Sequence, residues 1–565
     1  MGRPSKTSPA RVGTNRRDFF KRSSAGAVAM AAAAPSLLSL SAQAQPPAIS
    51  FLHGVASGDP LSDRVILWTR VTPAVVKPSV VVTYVIATDA ALTQVVLRGS
   101  TKTNPGRDFT VKVDPVGLRP NTTYYYQFAA EGALSPVGRT KTLPSGSTDS
   151  LRMAVVSCSN HAYGYFNAYG RIAQRADLDL VMHLGDYIYE YGTGQYGTAR
   201  TPEPANEIVS LSDYRQRHAQ YKRDADSQAM HRQHPLVAIW DDHETANNSY
   251  KTGAENHQPG TEGAWATRVA NAMQAYYEWM PVRPVDTTNP RKNNRAYAYG
   301  DLVDLIMLEE RINGRSEQLT TSAHATAFGP GFATTDPGYG DASRSLLGAE
   351  QEAWLTGRLR TSATRWKMLG QGVMFAQLKA PGANQATDPG LYFINSDQWD
   401  GYEPARNRIY DVLKGDATHP AVGNVVVLTG DIHSSWAADL HPNPYNTNVA
   451  SGGYSPVTGA GSLAVEFVGT SVSSPGVDSD TTGQIAGALR YYNPHFKYIN
   501  LIKRGYMLID ANRDRVVGEW WYLDTVASPS NVETFAKAFE VAYGTNHLVA
   551  SVQTTPRANP PLLAP

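Results

Sequence analysis

The chain contains a single cysteine, Cys158, among its 565 residues. An internal disulfide is therefore excluded, and a thiol carried outside the cytoplasm is open to oxidation unless it is buried or bound. No internal repeat is present, and no segment after residue 44 is apolar enough over about 20 residues to span a bilayer. These absences argue against disulfide-stapled, repeat and multi-span membrane architectures.

Charged residues are also sparse, at 18% of the chain, whereas 42% of the residues are hydrophobic. This balance is typical of a globular protein, and the length predicts two or more domains. The formal charge is +1, but residues 1–44 hold seven basic residues and one acidic residue, so the remainder has a net charge of −5. A mildly acidic chain gives no reason to expect a nucleic-acid-binding module.

The first 44 residues have the pattern of an export signal. The pair Arg16-Arg17 is followed by an Ala-rich apolar stretch from Ala25 to Leu40 and by the small-x-small site Ala42-Gln43-Ala44. We predict a twin-arginine signal peptide at residues 1–44, cleaved on export by the twin-arginine machinery to the periplasm or the extracellular space. The alternative, an uncleaved membrane anchor, is disfavoured because the stretch is short and weakly apolar.

The pattern of secondary-structure signals in the remaining chain changes near residue 150. Residues 50–145 carry short β-rich runs separated by Pro, Gly, Asn and Asp, which predicts a small all-β sandwich domain. Residues 151–525 alternate between strand-like and helical patterns, which predicts an α/β catalytic domain. Residues 526–565 are predicted to form a C-terminal helix and a loose, Pro-rich tail.

Acidic and histidine side chains follow three apolar, β-rich runs, LDLVMHL, PLVAIW and NVVVLTG. They are Asp186, the pair Asp242-His243, and the pair Asp431 and His433. Because parallel strands deliver their carboxyl ends to one edge of a sheet, we expect these side chains to converge there. Clustered carboxylates repel one another unless cations lie between them. The sequence therefore predicts metal ions at a sheet edge, and with them hydrolytic chemistry.

Each motif has a role in this interpretation and a structural alternative. Asp186 can bridge two cations, or it can cap a turn. One residue of Asp242-His243 can ligate a metal while the other exchanges protons at the leaving group; a solvated polar turn is the alternative. If the chain stays extended after the third run, Asp431 and His433 point the same way and suit neighbouring metals. The alternative for Asp431 is a helix N-cap.

Two further residues would determine which metal ion the site prefers. Cys158 lies just beyond a strand, where a thiolate ligand would suit iron or zinc, although a lone cysteine is more often a small buried hydrophobe. A phenolate from Tyr189 would favour a strongly Lewis-acidic metal such as ferric iron. The alternative for Tyr189 is an aromatic wall, and Tyr187 or Tyr191 could serve either role instead.

These motifs together resemble the PhoD-type alkaline phosphatase/phosphodiesterase family. The resemblance rests first on four segments: Ser157-Cys-Ser-Asn160, Leu184-Gly-Asp-Tyr-Ile-Tyr-Glu190, Asp241-Asp-His-Glu244 and Gly430-Asp-Ile-His-Ser434. Further motifs agree in the family's order and extend it over roughly residues 50–525: His53–Pro60, Leu67–Arg70, Leu347–Gln351, Trp399–Tyr402, Val465–Ser471 and Asn493–Tyr498. The resemblance implies an α/β fold, a metallophosphatase-type sandwich of mixed sheets flanked by helices, preceded by the small all-β sandwich domain.

The resemblance also implies ligands and cofactors. Ferric iron would be held by Cys158, Asp186, Tyr189 and His433. Calcium would be held by Asp186, Asp242, Asp431 and Asn247 of the Asn247-Asn248 pair. Zinc or another divalent metal is the alternative to either ion. The catalytic residues implied are His243, Asn160 and Asp242, of which Asn160 and His243 would contact the phosphate.

The implied function is an exported metal-dependent phosphoesterase that hydrolyses small-molecule or polymeric phosphate esters by metal-activated oxygen attack. Two segments depart from the family pattern, Leu308-Glu-Glu-Arg311 and Ala246, and both fall near the expected pocket. The resemblance therefore implies the family's substrate choice for this chain less directly than it implies metal binding. The rival interpretations are a serine esterase, for which no Gly-x-Ser-x-Gly elbow lies on a strand–helix turn, and a secreted binding protein with a structural calcium.

Overall fold

The computed structural model describes residues 48–320 and 323–565. The predicted signal peptide at residues 1–44 lies outside these residues. Among the helices of the described residues, none combines the length and apolarity needed to cross a bilayer.

The N-terminal region is all-β, as the punctuated sequence predicts. Its strands are Ile49–Ser50 (β1), Val55–Gly58 (β2), Ile66–Arg70 (β3), Thr72–Pro73 (β4), Val80–Ala87 (β5), Val95–Thr103 (β6), Thr110–Val113 (β7), Thr123–Ala130 (β8), Ala133–Leu134 (β9) and Gly138–Lys141 (β10). One five-stranded sheet has the order β10-β8-β5-β6, with β9 paired to β8. Alternate residues of β5, such as Val80 and Val82, face inward and pack with Val55 and Leu67 of the facing strands.

Those facing strands do not belong to a separate sheet. Strands β2, β3 and β7 extend the main sheet of the following region, because β2 pairs in parallel with a later strand through Ser57 and Gly58. Gly58 is required there, since a Cβ would lie 2.4 Å from the carbonyl oxygen of Pro281. The division into a 50–145 domain and a 151–525 domain stays a prediction, and the two regions share one sheet.

The remaining chain alternates strands and helices. Its first part contains Ser150–Val156 (β11), Asn167–Ala173 (α1), Leu180–His183 (β12), Leu211–Arg223 (α2), Ala225–Gln233 (α3), Pro235–Ala238 (β13), Pro259–Glu262 (α4) and Trp265–Trp279 (α5). Its second part contains Arg295–Tyr299 (β14), Val303–Met307 (β15), His324–Thr326 (β16), Gly329–Gly331 (β17), Ala349–Thr361 (α6), Trp366–Gln371 (β18), Lys379–Pro381 (β19), Leu391–Phe393 (β20), Glu403–Lys414 (α7), Val425–Thr429 (β21), Ser435–Leu440 (β22), Ala464–Val468 (β23), Gln484–Tyr492 (α8) and Phe496–Asn500 (β24). The C-terminal strands are Gly505–Asn512 (β25), Arg515–Leu523 (β26), Glu533–Ala542 (β27) and Val549–Ser551 (β28).

Two mixed sheets form the centre of this region. The ten-stranded sheet has the order β28-β27-β26-β25-β11-β12-β13-β2-β3-β7, and the seven-stranded sheet has the order β14-β15-β18-β21-β23-β22-β24. Met153 and Val155 of β11 point into a core shared with Val426 and Leu428 of β21, so the sheets pack face to face. Ala154 and Val156 point to the other face and pack against helices α1, α2, α3 and α5.

Helices α6 and α7 cover the outer face of the seven-stranded sheet in the same way. The region is therefore a sandwich of two sheets between two helical layers, which confirms the predicted fold class. Strands β12 and β21 are buried at every position, which explains their continuous apolar sequences.

The predicted C-terminal helix and loose tail are wrong. Residues 533–542 form strand β27, which pairs with β26 on one side and β28 on the other. Their Ala, Glu and Lys residues have good helix propensity, but pairing with the open edge of β26 overrides it. The tail is tied down as well: the Thr554 amide donates to Glu519 at 2.6 Å, and Gln233 exchanges two hydrogen bonds with the backbone of Ala564 at 2.8 and 3.0 Å.

Candidate metal centre

The predicted ligands follow strands of both sheets. Strands β11, β12 and β13, which precede Cys158, Asp186 and Asp242, are neighbours in the ten-stranded sheet. Strand β21, which precedes Asp431 and His433, lies in the seven-stranded sheet. The expectation of a single sheet edge is therefore wrong, because strand order along the chain does not reveal which sheet a strand joins. The site lies where the carboxyl ends of two facing sheets meet.

Tight turns, not extended chain, aim these side chains. Cys158, Asp186, Asp431 and His433 have φ angles of 62°, 54°, 58° and 54°, which is the left-handed region. Each such conformation costs a non-glycine residue roughly 1–2 kcal/mol, and residues held this way cluster at functional sites. The chain therefore does not stay extended at Asp431 and His433, and the condition under which both side chains would point the same way is not met.

Gly185 allows two of the turns to touch. Its φ is +100°, and a Cβ at this position would lie 2.4 Å from the Cβ of Asp241. Only glycine combines that backbone conformation with such a close approach. The small residue before Asp186 therefore brings the β12 turn against the β13 turn.

The four residues implied for iron come together. Ligand atoms of Cys158, Asp186 and His433 all lie within 4.8 Å of one another. The hydroxyl of Tyr189 lies 3.0 Å from Asp186 Oδ2 and 3.1 Å from His433 Nε2. His433 Nδ1 donates to the carbonyl oxygen of Pro475 at 2.8 Å, which leaves the lone pair on Nε2 facing the group.

Two acidic groups continue this cluster. One consists of Asp186, Asp242 and His243, and the other of Asp241, Asp242 and Asp431, each with ligand atoms within 4.8 Å. Asp186 and Asp242 are each shared between two groups. Residues from strand ends of both sheets thus form one continuous cage of oxygen, nitrogen and sulfur donors, which we call the acid cage.

The electrostatics of the acid cage fit cations. Asp186 Oδ1 is buried without a hydrogen-bond partner. Burial raises the pKa values of Asp186 and of the Cys158 thiol well above their usual ranges. A bound cation would reverse this by favouring the ionised forms. A thiolate, a phenol oxygen and an imidazole suit iron or zinc, and the carboxylate groups suit hard cations such as calcium.

The imidazole of His433 is already in the form that a metal needs. Burial, and then the charge of His243, lower the pKa of His433 to about 4. The ring is therefore neutral at neutral pH and keeps a free lone pair.

The acid cage already contains a positively charged side chain, that of Arg311. Its side chain is fully buried and forms an ion pair with Asp241, together with pairs at 2.9 Å to Asp431, 2.7 Å to Asp397 and 3.8 Å to Asp242. The sequence motif Leu308-Glu-Glu-Arg311 placed this residue near the pocket, but its charge was not recognised as part of the site.

Arg311 compensates only part of the negative charge. Burial tends to raise the pKa of Asp242, yet Arg311 and His243 hold it below its usual range. At Asp431 burial dominates over Arg311 and raises the pKa to about 8. One carboxyl group of the acid cage therefore remains under-compensated at neutral pH.

His243 is held by a buried carboxylate. Its Nδ1 lies 2.6 Å from Oε2 of Glu190, which is fully buried and also accepts from the Asn247 amide at 2.7 Å and from Asn256 at 2.9 Å. Burial tends to lower the pKa of His243, but Asp242 and Glu190 raise it well above its usual range. The ring is therefore a cation with its second nitrogen available as a proton donor.

The two asparagines named from the sequence have other partners. Asn160 donates to the carbonyl oxygen of Tyr196 at 2.8 Å, and the side chain of Asn247 donates to Glu255 at 3.2 Å. The neighbouring Asn248 touches the acid cage instead, since its amide donates to Asp242 Oδ2 at 2.6 Å. Their roles in binding metal or phosphate stay predictions.

The two departures from the family pattern, Leu308-Glu-Glu-Arg311 and Ala246, lie in segments that surround the site. Glu309 accepts from the indole of Trp240 and from three backbone amides of residues 311–313. Glu310 accepts from the amides of Gly372 and Val373. Ala246 is fully buried in the core beneath the helices. Glu309 and Glu310 thus anchor loops and Ala246 packs in the core, whereas Arg311 of the same motif lies inside the acid cage.

The chain is similar to known proteins over most of its length. The family model described as "PhoD-like phosphatase" matches residues 153–520, and the model described as "PhoD-like phosphatase, N-terminal domain" matches residues 34–144. The chain is 39% identical over 471 residues to alkaline phosphatase D of Bacillus subtilis (strain 168), covering 81% of this chain and 75% of that protein. A solved structure titled "Structure of PhoD" superposes with a TM-score of 0.77 at 35% identity, covering 89% of this chain and 92% of that one.

Proposed function

The chain belongs to the PhoD-like phosphatase family, a family of phosphoric ester hydrolases, and we propose that it is an exported, metal-dependent alkaline phosphatase or phosphodiesterase. Its substrate would be a phosphate ester of a small molecule or a polymer. The observation that carries this proposal is the acid cage, because residues from both sheets converge there with donor atoms and charges that call for cations.

We propose that Cys158, Asp186, Tyr189 and His433 hold ferric iron, and that Asp186, Asp242, Asp431 and Asn247 hold calcium. Zinc or another divalent ion remains the alternative. When bound, such ions supply Lewis acidity and neutralise the charge of the phosphoryl group. The mixed sulfur, oxygen and nitrogen donors of the first set and the oxygen donors of the second support this assignment.

Side chains near the metal ligands would transfer the proton and contact the phosphoryl group. In hydrolysis, a water oxygen bonds to phosphorus and loses a proton to solvent, the ester P–O bond breaks, and the departing alcohol oxygen gains a proton. His243 is the candidate donor of that proton, because Glu190 and Asp242 keep its ring charged and fix its orientation. Asn160 and His243 would contact the phosphoryl group, and Asp242 would act beside them as a metal ligand.

Two serines beside the acid cage give no support to a serine esterase. Ser473 and Ser474 donate to the carbonyl oxygens of Asn160 and Cys158 at 2.9 and 2.8 Å, so their hydroxyls brace the turns. Removal of metals by a chelator separates the two mechanisms, since a serine nucleophile would survive it.

Substitution of Asp186 tests the proposal. Asp186→Asn removes the carboxylate shared by two donor groups but keeps the shape of the side chain. We expect turnover of aryl phosphate esters to be lost, by about 10³-fold or more, with an unchanged fold by circular dichroism. Asp304→Asn is the matched control, because Asp304 is also a buried acid but pairs with Arg358 on strand β15. Wild-type turnover in Asp186→Asn would remove this carboxylate from the mechanism.

Export is a separate part of the proposal. A change of Arg16-Arg17 to a Lys-Lys pair should leave the precursor in the cytoplasm, because the twin-arginine machinery reads the arginine pair. Cell fractionation with an activity assay checks this, and undiminished export of the variant would contradict it.

A further inference from the structure

A cavity of about 490 Å³ opens beside the acid cage. Its wall includes Asn248, Tyr250, Glu255, Glu317, Phe332 and Asp397. Its size lies within the range of about 300–1,000 Å³ that is typical of small-molecule sites.

Two wall residues join the cavity directly to the acid cage. The amide of Asn248 donates to Asp242 Oδ2 at 2.6 Å, and Asp397 pairs with Arg311 at 2.7 Å. Gln318 then ties these two together, since its side-chain amide donates to the Asn248 carbonyl at 3.0 Å and to Asp397 at 2.6 Å. A group bonded to a phosphoryl in the acid cage can therefore extend into the cavity.

The charge of the wall has one sign. Among the described residues that line it are three carboxylates, Glu255, Glu317 and Asp397, and neither lysine nor arginine. Asp397 is neutralised from beneath by Arg311 and Arg315, at 2.7 and 2.5 Å. Glu255 accepts from the neutral amides of Asn247 and Asn248, so its charge is undiminished. The cavity therefore favours a positively charged guest.

The uncharged part of the wall indicates what kind of cation would fit. Phe332 is buried, Tyr250 interacts with the Glu317 carboxylate, and Leu319 and Ile394 add apolar surface. Aromatic faces beside carboxylates attract ammonium groups through cation–π and ionic contacts. Among the described residues, the donor groups close enough to hold a metal ion include neither Glu255 nor Glu317. An organic cation therefore fits the cavity better than a metal ion does.

We propose that this cavity receives the leaving alcohol of the substrate and selects an alcohol that carries an ammonium or quaternary ammonium group. The proposal rests on the proposed phosphoesterase function and deepens it by naming a substrate class. Glu255 and Glu317 supply the charge complementarity, and Tyr250 and Phe332 supply the aromatic and apolar faces.

A pair of substrates that differ only in charge tests the proposal. Phosphocholine and 3,3-dimethylbutyl phosphate have nearly the same shape, but only the first carries a positive charge; their methyl diesters form a second pair. We expect kcat/KM for the cationic ester to exceed that for the neutral ester by about tenfold or more in at least one pair. Release of the alcohol is measured in each case.

Variants assign the preference to the cavity. In the variant Glu317→Gln the preference should fall to about twofold or less, while kcat/KM for the neutral ester stays the same and shows that the fold is intact. Asp411→Asn, a change of one exposed carboxylate on helix α7, is the matched control for net charge and should keep the full preference.

The outcomes are distinct. Equal turnover of the cationic and neutral esters in both pairs, or a preference that survives undiminished in Glu317→Gln, overturns this proposal and leaves the phosphoesterase function standing. Failure to hydrolyse any ester, including 4-nitrophenyl phosphate and its diester, refutes the proposed function, and the cavity proposal falls with it.

Discussion

Removal of Arg311 should make the stability of the protein depend on divalent cations. This guanidinium is fully buried and contacts four carboxylates, of which Asp241 and Asp242 have side chains only 1% and 3% exposed. Arg311→Met leaves those charges without compensation. Breaking a buried ion pair costs about 3–5 kcal/mol, so the metal-free variant should lose a similar free energy of unfolding.

A bound cation should then recover much of that loss, because it supplies the missing positive charge at the same carboxylates. Calcium at a hundredfold excess over its dissociation constant stabilises a folded protein by about 2.7 kcal/mol. We therefore expect added calcium to stabilise Arg311→Met more than it stabilises the wild-type protein. Urea unfolding of chelated protein, with and without calcium, measures both quantities.

Arg315→Met is the matched control. Arg315 is equally buried and pairs with Asp397, but it makes no ion pair with Asp241, Asp242 or Asp431. This variant should be destabilised without any extra response to calcium. The reasoning about Arg311 is refuted if metal-free Arg311→Met is as stable as wild type, or if calcium rescues both variants equally.

Three further predictions concern single side chains. Tyr189→Phe should abolish the visible absorption band that a ferric phenolate would give, while the fold is retained; a purified protein with an unchanged spectrum would exclude this ligand. Glu190→Gln should lower the pKa of His243, so the alkaline limb of the kcat/KM profile shifts to lower pH, and an unmoved limb would contradict the proton-donor role. Burial holds the pKa of His495 at about 3 in the folded protein. The unfolded ring takes up its proton near pH 6.5, so between about pH 6 and pH 4 the unfolded state is favoured by about 1.4 kcal/mol for each pH unit. Urea unfolding of His495→Gln at several pH values should show a free energy of unfolding that lacks this pH-dependent loss.

Much of the fold followed from local sequence. The boundaries of β12 and β21 could be read from continuous apolar runs, because strands buried on both faces leave no room for polar alternation. The convergence of Asp186, Asp242 and Asp431 followed from their positions after such strands. The assignment of β21 to a second sheet did not, since pairing partners are set by packing over long distances in the chain.

Other features depended on tertiary contacts that no local pattern reveals. Strand β27 was predicted as part of a helix, because its residue types favour a helix when the neighbouring edge of β26 is ignored. Arg311 lies in a recognisable sequence motif, but its role depends on four carboxylates that are distant in the chain and surround it in the fold. The bond between Glu190 and His243 likewise joins residues 53 positions apart.

The central claim is that side chains from the ends of two facing sheets bind metal ions that are required for phosphoester hydrolysis. Its most direct test is to measure metal content by elemental analysis and turnover of an aryl phosphate ester on the same samples, through chelation and stepwise reconstitution. We predict that turnover disappears with the metals and returns in proportion to the metal regained. Undiminished turnover by a chain free of metal would contradict the claim.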